Sequence, residues 1–223
     1  MGAVSLLLSP LLIAPALGAW VEAGPERGHV LDAAVCDDAT YVATRVGVAR
    51  AAPGLGAWSR DPRFPPEVRR LACGEDGLVF AAPAGQLWRV GAETELIRFF
   101  ETRTDPVDLA VSDGALLVAL RGEEAGVLRV EGGEPFRVLE GVDPWCLAAR
   151  GEDVLLGTVT SGAFLSRDGG ASFAPLLEGA GVASVAWVDR DGWIALADGG
   201  LWVWHRGELS ELPSVRGGYA TGS

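Results

Sequence analysis

A spacing of 38 residues recurs along this chain and limits the folds that it can adopt. Self-similarity at a fixed interval is the sequence signature of repeat architectures, in which each unit packs only against its neighbours. The chain contains five similar units, and we call the short apolar run at the start of each unit its first strand. An alanine marks each first strand at this interval, at Ala34, Ala72, Ala110, Ala148 and Ala186.

Each unit continues with three more short segments that turn residues separate. Asp-Gly and related acidic turns follow the first strands, at 37–38, 75–77, 113–114, 152–153 and 191–192. Asp-Gly suits a tight hairpin because both central positions of a type I′ turn need a positive φ. Second strands are centred on Val42, Phe80, Val118, Leu156 and Ile194. Third strands open after Gly47, Gly85, Gly126, Gly162 and Gly200, and the predicted fourth strands carry Trp58, Leu96, Phe136 and Phe173.

Four short strands joined by hairpins and repeated five times predict an all-β fold, a β-propeller of four-stranded antiparallel blades. A β-sandwich gives no reason for a fixed interval, and the Val, Ile, Trp and Gly content argues against the helices of an α-solenoid. The next alanine of the series would fall at position 224, one residue past Ser223. An incomplete six- or seven-bladed ring and a closed five-bladed ring therefore both stay open.

The predicted hairpin between the third and fourth strands of unit four carries a polar motif, Ser166-Arg-Asp168-Gly-Gly170-Ala-Ser172-Phe173. It resembles the Asp-box, S-x-D-x-G-x-(S/T)-(W/F), of bacterial neuraminidase repeats, which recurs in sialidase-like propellers and in photosystem II assembly factor-like proteins. The resemblance implies a structural role, in which the Asp side chain caps N–H groups of the turn and the aromatic side chain packs between strands. Short polar side chains favour such local hydrogen bonds. The full motif is present in this one hairpin.

Charge narrows the classes of partner. The formal net charge is −12, and all 18 basic residues are Arg. An acidic surface repels phosphate backbones and anionic lipid headgroups, so the sequence argues against nucleic acid and membrane surfaces as partners. The use of Arg without Lys is typical of a GC-rich, bacterial genome.

The three cysteines are Cys36, Cys73 and Cys146. An odd number leaves at least one thiol unpaired, and the absence of a CxxC pair argues against a zinc site. We favour buried free thiols, and one disulfide stays open if the protein is exported.

The first 19 residues are apolar and uncharged, with small residues Ala16, Gly18 and Ala19 near their end. We interpret residues 1–19 as a signal peptide, although a basic n-region is missing, and residues 20–223 as a single propeller domain. The segment is too short and too often interrupted by proline for a membrane span. An alternative stays open, because 14–20 matches 52–58 at six of seven positions. On that interpretation residues 1–19 belong to a half-blade and the protein is cytoplasmic; otherwise it is secreted or periplasmic.

No catalytic group of residues is recognised, and the sequence predicts neither a cofactor nor a metal. A sialidase needs clustered arginines and a tyrosine nucleophile, but Tyr41 lies on a predicted second strand and Tyr219 near the C-terminus. His29 and His205 lack partners at metal-ligand spacing. The segment 189–192 falls at a hairpin turn, which argues against a calcium loop.

Tryptophans are the candidates for binding, although blade-to-blade packing is the simpler explanation for them. Trp187, Trp202 and Trp204 lie in unit five, and exposed aromatic side chains can mark an interface. The leading hypothesis is therefore an exported, non-catalytic propeller that binds a protein or a small ligand. The alternative is a sialidase-like protein that binds or acts on glycans.

Overall fold

The computed structural model describes residues 29–36, 39–52, 57–74, 77–81, 86–90, 94–97, 104 and 106–213, with the backbone alone at 77–81 and 94–97. The predictions for the signal peptide over 1–19, for the half-blade, for Gly85 and for Tyr219 fall outside these residues. No helix among the described residues has both the length and the apolar character needed to cross a bilayer.

In the described part of the chain, twenty strands form five four-stranded antiparallel sheets, each with its strands in chain order. The first two blades contain β1 (Val30–Val35), β2 (Thr40–Thr44), β3 (Gly47–Ala51) and β4 (Ser59–Arg60), then β5 (Arg70–Gly74), β6 (Gly77–Ala81), β7 (Leu87–Val90) and β8 (Thr94–Ile97). Blade three contains β9 (Asp108–Ser112), β10 (Ala115–Leu120), a 3-10 turn (Gly122–Glu124), β11 (Gly126–Glu131) and β12 (Glu134–Glu140). The last two blades contain β13 (Pro144–Arg150), β14 (Asp153–Thr158), β15 (Ala163–Ser166) and β16 (Ala174–Leu177), then β17 (Val182–Val188), β18 (Asp191–Leu196), β19 (Leu201–His205) and β20 (Glu208–Glu211).

The first strands of successive blades are neighbours, β1 beside β5, then β9, β13 and β17. They therefore lie nearest the propeller axis, and the predicted β-propeller is confirmed. Apolar clusters join each blade to the next, because equivalent positions of the repeat face the same neighbour. Buried side chains at one position face the preceding blade, at Leu71, Leu109, Leu147 and Val185, and those one residue later face the following blade, at Ala34, Ala72 and Ala110.

In the three blades whose turn residues are described, the hairpins between first and second strands are present, with two corrections of register. The turn predicted at 37–38 and most of that at 75–77 lie outside the described residues. In blade three Asp113 and Gly114 have φ of 47° and 73°, as a type I′ turn requires. In blade five the turn residues are Asp189 and Arg190, because Val188 pairs with Asp191, so the turn predicted at 191–192 is instead the start of β18. In blade four Asp153 likewise starts β14, and the turn lies at 151–152.

The predicted fourth-strand positions are occupied less uniformly. Phe136 lies within β12 and Leu96 within β8, whereas Trp58 and Phe173 come directly before β4 and β16. Phe173 packs against the cluster between blades three and four. The aromatic position therefore belongs to the end of the hairpin loop in blades one and four.

A disulfide joins Cys36 to Cys73, and Cys146 is a free thiol. The preference for free thiols was therefore wrong for two of the three cysteines. Cys36 follows β1 and Cys73 lies in β5, so the bond connects the first strands of blades one and two. It adds a covalent link to the apolar contacts between these two blades.

Candidate functional site

Strand direction defines two faces of the propeller. Strands alternate in direction within a blade, so the turns between second and third strands and the connections between blades lie where the first strands begin. We call this the upper face. The hairpins between first and second strands, and those between third and fourth strands, lie at the lower face.

At the upper face, one position of the repeat forms a β-bulge in three of the first strands. The pairing of β1, β13 and β17 shifts register at this position, which makes Leu31, Trp145 and Ala183 bulge residues. Bulges redirect side chains and often lie beside functional sites. The equivalent residues of the other two blades, Arg69 and Val107, come directly before β5 and β9. This series of five residues surrounds the upper end of the axis.

A cavity of about 630 Å³ opens at the upper face beside blades one to three. We call it the upper cavity. It is rich in arginine: Arg45 comes from the β2–β3 turn, Arg69 comes directly before β5, and Arg70 is the first residue of β5. Its lining consists of Leu31, Arg45, Glu67, Arg69, Arg70, Pro106 and Val107.

The geometry of the upper cavity suits an anion. Among its described lining residues, three arginines accompany one glutamate, so the formal charge of these residues is opposite in sign to the chain's net charge of −12. The Arg70 guanidinium is held in place, since Nη1 donates to the Arg69 carbonyl at 2.8 Å and Nε donates to the Val107 carbonyl. Glu67 has φ of 66°, a conformation that costs energy for a residue with a side chain and that is common at ligand sites.

Beneath the upper cavity, charged side chains link successive first strands. Leu71 N–H donates to Asp32 Oδ2 at 2.8 Å, and Leu147 N–H donates to Asp108 Oδ2 at 2.7 Å. Each aspartate thus accepts a hydrogen bond from the next blade. Arg70 occupies the equivalent position between them, and its charge lowers the pKa of both carboxyl groups against the larger effect of burial. We call Asp32, Arg70 and Asp108 the axial triad.

Burial raises the pKa of Asp108 to about 6 from 3.8, despite the N–H groups of Leu147 and Leu109 that favour its ionised form. The folded protein therefore holds this proton more tightly than the unfolded chain does. The contribution of Asp108 to stability is greatest below about pH 4, is lost as the pH rises through about 6, and is constant above that.

We expect the free energy of unfolding of the wild-type protein to fall relative to that of Asp108→Asn by about 2 kcal/mol between pH 4 and pH 6.5. The amide that this substitution introduces can accept one of the two N–H hydrogen bonds and does not titrate. Urea unfolding of both proteins at several pH values measures this difference. Parallel curves for the two proteins would show that Asp108 keeps an ordinary pKa.

Trp145 is a preorganised aromatic side chain at the upper face that sequence analysis did not select. It is 45% exposed, and its indole N–H donates to the Ala183 carbonyl at 3.1 Å. The Arg121 guanidinium lies 5.4 Å from the ring centroid and is oriented by Asp143, to which its Nε and Nη2 donate at 2.9 and 3.0 Å. The repeat itself could have identified Trp145, since it lies 38 residues after Val107.

The polar hairpin of blade four is closed by its own side chains. Ser166 Oγ donates to Asp168 Oδ1 at 2.7 Å and accepts the Gly170 N–H at 2.8 Å. Asp168 accepts the Ser172 N–H at 2.9 Å and the Ser172 hydroxyl at 2.5 Å. These hydrogen bonds satisfy the carboxylate within the turn.

The three tryptophans selected from the sequence lie together in blade five. Trp187 and Trp204 meet edge to face at 5.7 Å in the contact with blade four, and Trp202 packs against the same cluster. Trp204 also borders a smaller cavity of about 400 Å³ beside the blade-four hairpin, where the Arg167 guanidinium lies 5.2 Å from its ring centroid. Their part in ligand binding stays a prediction.

The remaining titratable candidates lie apart from the upper cavity lining. Tyr41 is buried at 4% exposure beside Phe64, and its hydroxyl accepts a long hydrogen bond from Arg63 at 3.5 Å. His205 pairs with Asp191 on blade five. Within the described ranges, no cluster of three His, Cys, Asp or Glu side chains could hold a metal ion.

Comparison of the chain with protein-family models and with curated proteins found no match. Solved structures do match. PorZ, a surface component of the type-IX secretion system of Porphyromonas gingivalis, has a TM-score of 0.62 at 15% identity over 84% of this chain. The computationally designed Ika8 protein gives 0.64 at 18% over 84%, and the GH74 xyloglucanase of Xanthomonas campestris gives 0.60 at 17% over 83%.

At these identities the likeness shows the fold alone. The chain spans 28% of PorZ, 63% of the designed protein and 38% of the xyloglucanase. It therefore spans less than two thirds of the length of each of these three structures. Propellers serve many functions, so function has to be argued from the upper face.

Proposed function

We propose that this chain is an exported, non-catalytic β-propeller module that binds a small anionic ligand in the upper cavity. The observation that carries the proposal is the convergence of Arg45, Arg69 and Arg70 on one cavity, whose described lining contains a single acidic residue, Glu67, in a strongly acidic chain. Guanidinium groups bind carboxylate and phosphate oxygens through paired, charge-assisted hydrogen bonds. Field lines concentrate in such a cleft and raise the local concentration of anions.

Two further observations support export. The Cys36–Cys73 disulfide is typical of an oxidising compartment. Residues 1–19 have the apolar composition of a signal peptide, which leaves residues 20–223 as the mature propeller domain. The hydrogen bonds of the 166–173 hairpin also support its interpretation as an Asp-box with a structural role, as in sialidase-like propellers.

We expect Arg69→Gln to weaken binding of an anionic probe about tenfold, because one charged hydrogen-bond donor is lost from a partly exposed site. The probes are inorganic sulfate, inorganic phosphate, glucuronate and N-acetylneuraminate, each titrated calorimetrically against the full chain. The series also separates carboxylate from phosphate recognition.

Arg190→Gln is the matched control, because Arg190 is an exposed arginine in a turn at the lower face. Its affinity for each probe should equal that of the wild-type protein. Equal affinities in all three proteins, or binding of neutral glucose as tight as that of glucuronate, would contradict the proposal.

The sialidase-like alternative shares the arginine cluster, but Tyr41, the tyrosine within the described residues, is not an accessible nucleophile. Tyr41 is buried against Phe64 and is not part of the upper cavity lining. We therefore expect no release of fluorophore from a sialoside substrate. Turnover that disappears in Tyr41→Phe would instead support the alternative.

A further inference from the structure

The axial triad connects the upper cavity to a partly buried acid, Asp108. Arg70 lines the cavity, and its Nε donates to the carbonyl of Val107, the residue directly before Asp108. Asp32 and Asp108 occupy the equivalent positions of the preceding and following first strands. Asp32 and Asp108 thus flank Arg70 in the series of first strands, and the positive charge of Arg70, which lines the ligand site, favours the ionised form of both carboxyl groups.

Strands β1, β5, β9 and β13 place hydrogen-bond donors or ionisable groups around the Asp108 carboxyl group. From its own strand, the Leu109 N–H donates to Oδ1 at 2.9 Å, and from β13 the Leu147 N–H donates to Oδ2. The charged groups that face it are Arg70 on β5 and Asp32 on β1, and the titratable Cys146 thiol lies on β13. Among the described residues, Arg70 is the one cation in this set, so its electrostatic attraction is divided between two carboxylates.

We propose that binding of an anion in the upper cavity is coupled to the uptake of one proton by Asp108. This inference rests on the proposed function and adds a regulation to the same site. A bound anion engages Arg70 and adds a negative charge near the triad, which makes the ionised form of Asp108 less favourable. The proton comes from solvent, and binding and protonation favour each other by the same factor.

The direction of the pH effect follows from the burial of Asp108, which raises its pKa to about 6 in the free protein. A bound anion raises this pKa further, so affinity increases as the pH falls through this range and is constant below it. A shift of about one half to one pKa unit corresponds to about a threefold to tenfold gain in affinity.

Inorganic sulfate is the probe for the test, because its charge is constant between pH 5 and pH 8. We expect the wild-type protein to bind sulfate about threefold to tenfold more tightly at pH 5 than at pH 7.5. In Asp108→Asn the two affinities should be equal. Calorimetry of the wild-type protein at pH 6.5, in two buffers of different ionisation enthalpy, should show net proton uptake and requires no variant.

Two matched variants identify the titrating group. His29 comes directly before β1, and His29→Gln tests whether it contributes to the pH dependence. Asp32→Asn removes the other carboxylate of the triad. His29→Gln should keep the pH dependence unchanged. Asp32→Asn should keep it but shift it to lower pH, because the Asp32 charge raises the pKa of Asp108. Loss of the dependence in either variant but not in Asp108→Asn would overturn the assignment.

The outcomes distinguish this inference from the proposed function. If sulfate binds at neither pH, and neither do the other anionic probes, the proposed function fails. If sulfate binds equally well at both pH values and without proton uptake, the cavity is an anion site but the coupling is absent, and the inference is wrong.

Discussion

Replacing both bridged cysteines, as Cys36→Ala/Cys73→Ala, should lower the free energy of unfolding by about 4 kcal/mol. The bond closes a loop with a sequence separation of 37 residues, and cross-links over loops of this size restrict the unfolded chain by about that amount. For a chain of this length the melting temperature should fall by about 10 °C. Thermal unfolding followed by circular dichroism measures the change.

A reducing agent provides the matched comparison. Reduction should bring the wild-type protein to the stability of the double variant and leave the double variant unchanged. Cys146→Ala is the control, because Cys146 is a free thiol on β13, and this variant should keep the full response to reduction. If the melting temperature of the wild-type protein does not change on reduction, the disulfide does not stabilise the fold.

Leu117→Ala should destabilise the protein by about 3 kcal/mol, and Gly170→Ala by about 2 kcal/mol. Leu117 is fully buried in blade three, and a Cβ added at Gly170 would lie 2.5 Å from Leu117 Cδ2. Shortening Leu117 makes room for that methyl group. The double variant should therefore be about 1 kcal/mol more stable than the sum of the two single changes predicts. Urea unfolding of the three variants and the wild-type protein measures this difference.

Gly114→Ala separates backbone strain from this contact. Gly114 has φ of +73°, and an added Cβ there would have no atom within 4 Å. Gly170 has φ of +81°, and an added Cβ there would collide with the Leu117 side chain. The control should cost only about 1 kcal/mol and should add to Leu117→Ala without coupling. Coupling of equal size at both glycines would mean that the hairpin of blade four does not pack on blade three through Gly170.

Much of the fold could be predicted because the repeat fixes both topology and burial. Val118, Leu156 and Ile194 are buried on second strands, as their spacing predicts. Hairpin turns were harder to place where acidic residues continue beyond the turn, so that the turn predicted at 191–192 lies two residues too late. Charge and turn propensity identify a hairpin but do not fix its register within two residues.

The disulfide was predictable from a signal that composition does not carry. Cys36 and Cys73 are 37 residues apart, almost one repeat, so neighbouring first strands bring them side by side. Cys146 is nearly two repeats beyond Cys73 and falls in another blade. An argument from the number of cysteines misses this, because pairing depends on position within the repeat.

The site was harder to predict than the fold. Trp187, Trp202 and Trp204 are close in sequence, but the exposed and oriented tryptophan at the upper face is Trp145. The upper cavity draws Arg45 from one blade and Arg69 from the next. Such convergence depends on how neighbouring blades are arranged around the axis. Hydrophobic periodicity does not reveal this arrangement, because it indicates only which residues of a strand are buried.

The extra residues of blade three show how this architecture can diversify. Gly122–Glu124 form a short 3-10 turn between β10 and β11, yet the ladder on either side continues with Leu120 opposite Gly126. The lengthened loop lies at the upper face, away from the apolar contacts between blades. Homologous chains could therefore exchange or extend such loops one blade at a time and acquire new specificities while the scaffold folds unchanged.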